Sequence, residues 1–397
     1  MAPGGRADCA RVQGDPLRVL IVSKILVLAA YRHKLDEIAA RPEVERLIVV
    51  TPPAWHEPGG RTLSLEASPG PHAYELRVEP IRFNGNYHLF FWPGLGRHVR
   101  QTRPDLVHLD EEPYNLATAH GSWLAGRYGA RSLFFTWQNQ VRRYPPPFSW
   151  FERSVFHRSA FAIAGSSEAL QVLRTKGYAG QASVIPQFGV DPRLFTPARV
   201  RAAADAMPVI GFVARLVEEK GILVLLAALA GLSGSWRLHI VGSGPLEGQA
   251  RRRAAELGIG ERITWEHGVS SMLIPDRLRS FSVLVQPSLT RPNWKEQFGR
   301  ALMEAMACGV AVVGSTSAEI PHVIGNAGLV VSEGDSTALR EAIARLLADR
   351  ELREEFGRRG RVRVLERYTN ARIAEQTVQA YRSALTAAST SSRRTLG

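Results

Sequence analysis

Short apolar runs recur along this chain, separated by amphipathic stretches. Arg18-Val19-Leu20-Ile21-Val22-Ser23 reads as a buried strand, and Tyr31 to Ala40 as the helix after it. Arg46 to Thr51 is the next strand, ended by Pro52 and Pro53. Gly59 to Pro71 is expected to be a loop. Leu106 to Leu109 is a short strand after the turn at Pro104-Asp105, and Tyr114 to Tyr128 is helical. Ser132 to Thr136 and Phe161 to Ala164 are strands. A helix then starts at a cap, Ser166 or Ser167, with Glu168 in its first turn. Val184-Ile185-Pro186 closes this half.

Gln187 to Pro208 has several prolines and no long apolar run, so it reads as a hinge. The rhythm then restarts. Strands are expected at Val209–Val213, Arg237–Val241, Arg262–Trp265, Val283–Gln286, Ala311–Gly314 and Leu329–Val331, with helices between them. Apolar strands alternating with helices mean a parallel sheet covered on both faces. Seen twice, the pattern predicts two Rossmann-like α/β domains facing each other across a cleft. The expected boundaries are a disordered tail at 1–17, a first domain at 18–195 and a second at 196–367. A helix at 368–388 is expected to cross back onto the first domain, and 389–397 is expected to be a disordered tail.

The 397 residues suit two domains, and 45% hydrophobic content allows sizeable cores. No apolar run approaches the roughly 20 residues of a membrane helix. Met1 to Asp15 is Gly-rich and polar without an apolar core, so it reads as a frayed tail and not a signal peptide. The two cysteines, Cys9 and Cys308, allow no disulfide framework, which favours the cytoplasm. Cys308, expected inside a helix, reads as a small buried apolar residue. The net charge of +13 is compatible with phosphorylated substrates, an anionic membrane or nucleic acid. An arginine-rich composition without function gives the same charge.

Four constellations carry chemistry. Glu296 and Glu304 stand with seven residues between them, Gly299 among these and opening a helix. Free N–H groups and the positive end of the helix dipole lie between the two carboxylates, an anion seat flanked by acids. A nucleotide-sugar has hydroxyls at both ends and phosphate between. Gly211 to Gly221 places Arg215 and Lys220 after a strand, where two cations could clamp a diphosphate or simply be solvated. Each charge-assisted bond would contribute about 1.5–3 kcal/mol. Val241-Gly242-Ser243-Gly244-Pro245-Leu246 is a strand end where two glycines let backbone approach a ligand, or form a tight turn, and Pro245 suits a first helical position. A dinucleotide fingerprint would need glycine where Glu247 stands, which argues against a dehydrogenase. Asp110-Glu111-Glu112-Pro113 and Trp137-Gln138-Asn139 end strands of the first half and could bind acceptor hydroxyls, or be ordinary polar loops. No Asp-x-Asp, Gly-x-Ser-x-Gly, His-Glu-x-x-His or P-loop occurs, and the eleven histidines show no ligand spacing.

Together these motifs resemble glycosyltransferase family 4, the retaining group with the GT-B fold, from about Arg18 to Ala384. Gly211 to Gly221 looks like the family's diphosphate loop, with Ala214 where glycine is usual. Val241 to Leu246 looks like its Val-Gly-x-Gly-Pro-Leu turn. Gln286-Pro287-Ser288 followed by Glu296 to Gly309 looks like its Pro-Ser and Glu-x7-Glu segment, and Ser315 to Pro321 and Asn326-Ala327-Gly328 continue it. The resemblance implies that Glu296 contacts the donor sugar and Glu304 the ribose. It implies that Arg215 and Lys220 hold the diphosphate, joined by the backbone of Phe298 and Gly299. Two departures stand out. Ser23-Lys24-Ile25-Leu26 replaces a Gly-Gly loop, and Trp137-Gln138-Asn139 replaces a histidine, which makes Lys24, Gln138 and Asn139 acceptor-side candidates beside Glu111.

The expected function is transfer of a hexosyl group from a nucleoside-diphosphate sugar to a saccharide or lipid-linked acceptor, with retention and without metal or cofactor. Synthesis of a cell-surface polysaccharide or glycolipid is implied by the resemblance. Nucleic acid is not expected as a partner. The alternative is a non-catalytic nucleotide-sugar-binding or membrane-surface protein that keeps the fold. Arg97, Arg100 and Arg103 at helical spacing, just after Phe90, Phe91 and Trp92, suggest a peripheral contact with the inner face of the plasma membrane. A solvated helix face over a core-facing aromatic cluster explains the same residues.

Overall fold

The computed structural model describes residues 15–57, 60–67, 70–198, 207–270 and 272–391. Most of each expected tail, and residues 199–206 of the expected hinge, lie outside the described residues. The chain divides into two compact units. Unit 1 holds the described residues up to Phe135, Tyr144–Ala162, and those from Ala374 on; unit 2 holds Thr136–Arg143 and Ile163–Ile373. Thr136–Arg143 and the stretch from Ile163 to Phe195 therefore group with the second unit, although the sequence reading placed them in the first.

The first part of the chain runs β1 (Leu17–Val22), α1 (His33–Ala39), β2 (Val44–Thr51), β3 (Ala54–His56), β4 (Thr62–Ser64), β5 (Glu75–Val78), α2 (Leu95–Thr102), β6 (Leu106–Leu109), α3 (Leu116–Arg127), β7 (Arg131–Thr136) and α4 (Phe148–Arg158). Strands β5-β2-β1-β6-β7 lie side by side in that order and pair parallel. Val19, Leu20, Ile21 and Val22 are all buried, as expected of a strand covered on both faces. The chain goes from β1 outward to β2 and β5, then returns to β6 on the other side. The topological switch point of unit 1 is therefore the β1/β6 boundary.

The stretch expected as one loop at 59–71 contains β4, which pairs antiparallel with β3 and sets Leu63 opposite Trp55. Both side chains are buried. Each strand has one buried residue flanked by less buried ones, too little periodicity to read from sequence.

The chain continues through β8 (Phe161–Ala164), α5 (Ser167–Thr175), β9 (Gln181–Val184), β10 (Val209–Val213), α6 (Ile222–Ala230), β11 (Arg237–Val241), α7 (Glu247–Glu256), β12 (Ile263–Glu266), α8 (Ile274–Arg279), β13 (Val283–Gln286), α9 (Arg300–Ala307), β14 (Ala311–Ser315), α10 (Ile320–Ile324), β15 (Leu329–Val331), α11 (Ser336–Ala348), α12 (Arg350–Arg367) and α13 (Asn370–Ser391). Ser166 is the cap of α5; its hydroxyl accepts the Ala169 N–H at 3.1 Å. Pro245 does not open α7, which starts two residues later, and Cys308 is the C-cap residue of α9 rather than an interior one.

Unit 2 centres on a six-stranded parallel sheet in the order β12-β11-β10-β13-β14-β15. One face packs Ile210, Phe212, Val283 and Val285 under Leu225, Leu229 and Ile343. The other packs Leu284 and Val312 under Leu302, Met306, Ile320 and Val364. The switch point is β10/β13. Helix α13 begins in unit 2, where Asn370 N–H donates to the Val190 carbonyl at 3.0 Å. From Ala374 on it belongs to unit 1, where Tyr381 is buried with its hydroxyl 2.9 Å from His108 Nδ1.

Candidate functional site

Parallel sheets hold ligands beyond the carboxyl ends of their strands at a switch point. In unit 2 that place is built from the loops after β10 and β13. Lys220 comes from the first and Glu296 from the second, and Lys220 Nζ lies 2.6 Å from Glu296 Oε2. The same oxygen accepts from Gln286 Nε2 and from Ser288 Oγ, each at 2.8 Å. Three donors thus converge on one oxygen of a buried carboxylate, and Oε1 takes none of these bonds. The Lys220 ammonium also sits 4.7 Å from the Trp294 ring centroid. The charge is compensated and the side-chain direction fixed, which leaves one oxygen for other work.

Three residues on, Gly299 adopts φ 83 and opens α9 with no side-chain cap. The first N–H groups of α9 and its positive dipole end are therefore not taken up by a capping side chain. Phe298, just before, is buried against Phe188 and Tyr368, with ring centroids at 5.6 and 5.4 Å. Glu304 is buried on α9 and accepts from Arg300 Nε at 2.7 Å. Arg215 is exposed on the loop after β10, and its guanidinium makes no ion pair among the described residues. A Cβ at Gly242 would lie 2.0 Å from the Ala214 carbonyl oxygen, and one at Gly244 would lie 2.4 Å from that of Leu216. These two glycines let the loop after β11 press against the loop that carries Arg215. Their bareness serves chain-to-chain approach in this structure.

In unit 1 the switch point also carries a lysine and a glutamate. Lys24 follows β1 and Glu111 follows β6. The Lys24 backbone N–H donates to Glu111 Oε1 at 2.8 Å, and its ammonium pairs with Oε2. The ammonium lies 4.7 Å from the Phe90 ring centroid and 5.4 Å from that of Trp55. Burial pushes the Glu111 carboxyl above the usual range, against the pull of Lys24.

Gln138 and Asn139 belong to unit 2 by contact. Gln138 Oε1 accepts from Lys176 Nζ at 3.0 Å, and Asn139 Nδ2 donates to the Glu296 carbonyl at 3.4 Å. The structure thus brings Asn139 to the Glu296 loop and ties Gln138 elsewhere. The roles of Gln286, Ser288 and Trp294 were missed in sequence. The available signal was Gln286-Pro287-Ser288 at the end of a central strand. Among the described residues, no group of three or more His, Cys, Asp or Glu could hold a metal ion.

Two family models match. One, described as "Glycosyl transferases group 1", covers residues 198–363, and the other, "Glycosyltransferase Family 4", covers 45–216. Among curated proteins, an alpha-maltose-1-phosphate synthase of Mycolicibacterium smegmatis is 30% identical over 259 residues, 59% of this chain and 66% of that protein. A GDP-mannose-dependent alpha-(1-6)-phosphatidylinositol monomannoside mannosyltransferase of the same organism is 32% identical over 234 residues, 56% of this chain and 60% of that protein. The matches thus span less than two thirds of either relative's length. Sucrose-phosphate synthase from Thermosynechococcus elongatus superposes with TM-score 0.70 at 22% identity, covering 94% of this chain and all of that one. HepE of Anabaena, solved with UDP and glucose, gives 0.67 at 18% identity, covering 92% of this chain and all of that one. These neighbours are glycosyltransferases of the GT-B fold, and this chain shares that fold. With the two models together taking in residues 45–363, the chain belongs to glycosyltransferase family 4, the group 1 glycosyltransferases.

Proposed function

We propose that this chain moves a hexosyl group from a nucleoside-diphosphate sugar to a hydroxyl of a saccharide or lipid-linked acceptor, with retention and without a metal. The observation that carries the reading is the convergence of Lys220, Gln286 and Ser288 on one oxygen of Glu296, three residues before the uncapped start of α9. Arg215, Lys220 and the N–H groups at Gly299 would hold the diphosphate. As the bond from sugar to diphosphate breaks, charge grows on the leaving oxygens, and fixed cations and dipoles stabilise it with little reorganisation. Glu296 Oε1 is available to sugar hydroxyls, and Glu304 would take the ribose. The acceptor oxygen would bond to the anomeric carbon on the face the diphosphate leaves, its proton passing to a departing phosphate oxygen. Lys24 and Glu111 are proposed to serve the acceptor. The UDP and glucose held by HepE support a nucleotide-sugar donor, and the phosphatidylinositol mannoside in the name of one relative supports a lipid-linked acceptor. The proposed setting is the cytoplasm, at the inner face of the plasma membrane.

Glu296→Ala should lower turnover about 100-fold, while binding of the free nucleoside diphosphate, by calorimetry, changes by less than about threefold. Near-normal turnover in that variant removes the central claim. Nucleotide binding by the native chain with no turnover of any donor would favour a non-catalytic binder instead. Turnover should persist in EDTA, and a strict need for added Mg²⁺ would replace the cationic clamp as the main stabiliser.

A further inference from the structure

Helices α2 and α4 of unit 1 both pack on α3, so the three form one layer. The expected aromatic stripe does not lie on its surface. Phe90 and Trp92 are buried and Phe91 is half-buried, so those rings belong to the core. The exposed rings are others. Trp123 on α3 is 46% exposed and Trp150 on α4 is 60% exposed, with Tyr128 exposed at the end of α3. Tryptophan is on average a well-buried residue, so two such residues on neighbouring helices call for an explanation. Trp150 shares a face with Arg153 and His157 at i, i+3 and i+7, all exposed. The Arg127 guanidinium lies 5.8 Å from the Trp123 ring centroid.

The charges on this layer have one sign. Arg97, Arg100, Arg103, Arg127, Arg153 and Arg158 are all exposed. No aspartate or glutamate is exposed on α2, α3 or α4, and of these arginines only Arg97 leans on a carboxylate among the described residues, Glu79 at 3.3 Å. Helix α12 provides the contrast within the molecule. It is as rich in arginine, but Arg358 and Arg359 pair with Glu355, and Arg350 with Glu354. Mixed signs are the ordinary state of a soluble surface. The layer in unit 1 departs from it, and adds rings that favour the water–lipid boundary.

We propose that α2, α3 and α4 form a docking face for an anionic lipid bilayer. The arginines supply charge complementarity to acidic headgroups, and Trp123 and Trp150 enter the boundary region. No described helix is long and apolar enough to cross a membrane, so the contact is peripheral. The face is independent of the donor chemistry at Glu296 and can be tested without a donor.

The test is cosedimentation of the full chain with vesicles of phosphatidylcholine containing about one third phosphatidylglycerol, at about 0.1 M salt, where charges are screened beyond roughly 10 Å. Binding should be absent with phosphatidylcholine alone and should weaken as salt rises. Each of Arg97→Gln, Arg153→Gln and Arg158→Gln should weaken it about fivefold. Trp123→Ser with Trp150→Ser should weaken it further and abolish a blue shift of tryptophan emission on vesicle addition. If that pair fails to fold, the arginine variants alone carry the test. Equal binding to neutral vesicles, or undiminished binding by the triple arginine variant, overturns the proposal. So does salt-sensitive binding to a single-stranded DNA oligonucleotide with none to anionic vesicles.

Discussion

Each unit places a lysine and a glutamate at its switch point, and the two pairs are built to different ends. Both lysines follow the central strand of their sheet, β1 or β10, and both glutamates follow the strand beside it, β6 or β13. In unit 1 the pair is closed. Lys24 engages both oxygens of Glu111, one through its backbone N–H and one through its ammonium, and aromatic rings flank the charge. In unit 2 the pair is open. Three donors hold one oxygen of Glu296, and the backbone that follows leads into an uncapped helix start. The lesson is that an ion pair at a topologically favoured place does not by itself mark chemistry. What marks it is a carboxylate held firmly by fewer of its lone pairs than it has.

The strongest way to break this comparison is to neutralise the two lysines separately. Lys220→Met removes a leaving-group stabiliser and one anchor of Glu296, and should lower turnover about 10²- to 10³-fold. It should cost less stability than the matching change in unit 1, because Gln286 and Ser288 still donate to the carboxylate. Ser288→Ala, which removes one neutral anchor, should cost about tenfold. Lys24→Met should act on folding first. It leaves Glu111 buried without its cation, at a cost of about 3 kcal/mol. Lys24→Met with Glu111→Leu should recover most of that loss, because no uncompensated charge remains. Urea unfolding and turnover at saturating acceptor separate the effects. Any share of the pair in acceptor binding appears as a raised acceptor KM in the double variant. If turnover at saturation falls as far there as in Lys220→Met, the two pairs are not different in kind.

A second test uses pH. Beneath the unit 1 pair, on β6, lies His108, buried with Lys34, Asp110 and the Tyr381 hydroxyl around it. Burial holds its imidazole down, to about 4. The unfolded chain takes up this proton near pH 6.5, and the folded chain does not until about pH 4. Stability must therefore fall as pH drops through that window, by up to about 3 kcal/mol from this group. Glu111 has the opposite sign. Burial raises its carboxyl, so the folded form keeps a proton that the unfolded form has lost, and its contribution falls as pH rises. His108→Gln should flatten the acid limb of unfolding free energy between pH 6.5 and 4, measured by urea titration. An unchanged slope would show that another group carries the acid sensitivity of unit 1.

The sheets were legible in the sequence because strands buried on both faces read as continuous apolar runs. Val19 to Val22 and Val283 to Gln286 needed no tertiary information. Glu296 with Gly299, and Lys220 in a loop of its own, were legible as candidates because charge and a strand end or helix start fall in a short span; that Lys220 meets Glu296 across 76 positions was not. What was not legible depends on packing. The β3–β4 hairpin rests on one buried side chain per strand. Phe90 and Trp92 are aromatic whether they face lipid or core, and only the fold turns them inward. Lys24 meets Glu111 across 87 positions, and Ser288 finds Glu296 only because the intervening loop folds back on itself. Gln138 and Asn139 follow a strand of unit 1 in the sequence, but their partners lie in unit 2.

The smallest expected effect concerns strain in the loop after β14, a strand whose last residue, Ser315, donates its hydroxyl to the carbonyl of Ser288, an anchor of the open pair. Ala318, in the loop after β14, has φ 47, a left-handed conformation rare for a residue with a Cβ. It stands between Ser317, whose hydroxyl lies 3.3 Å from that of Thr290, and Glu319, whose carboxylate accepts the Ser167 N–H at 3.2 Å at the start of α5. These contacts on both sides hold the alanine in place. The conformation costs alanine about 1–2 kcal/mol. Glycine relieves that cost but gives the unfolded chain more freedom, so Ala318→Gly should gain only about 0.5 kcal/mol in urea unfolding. The informative quantity is turnover measured on the same variant. If the loop is held for geometry, stability should rise while turnover falls about twofold, since a freer loop positions Ser317 and Thr290 less well. A gain in stability with unchanged turnover would show that the strain serves packing alone, and that the open pair in unit 2 draws nothing from this loop.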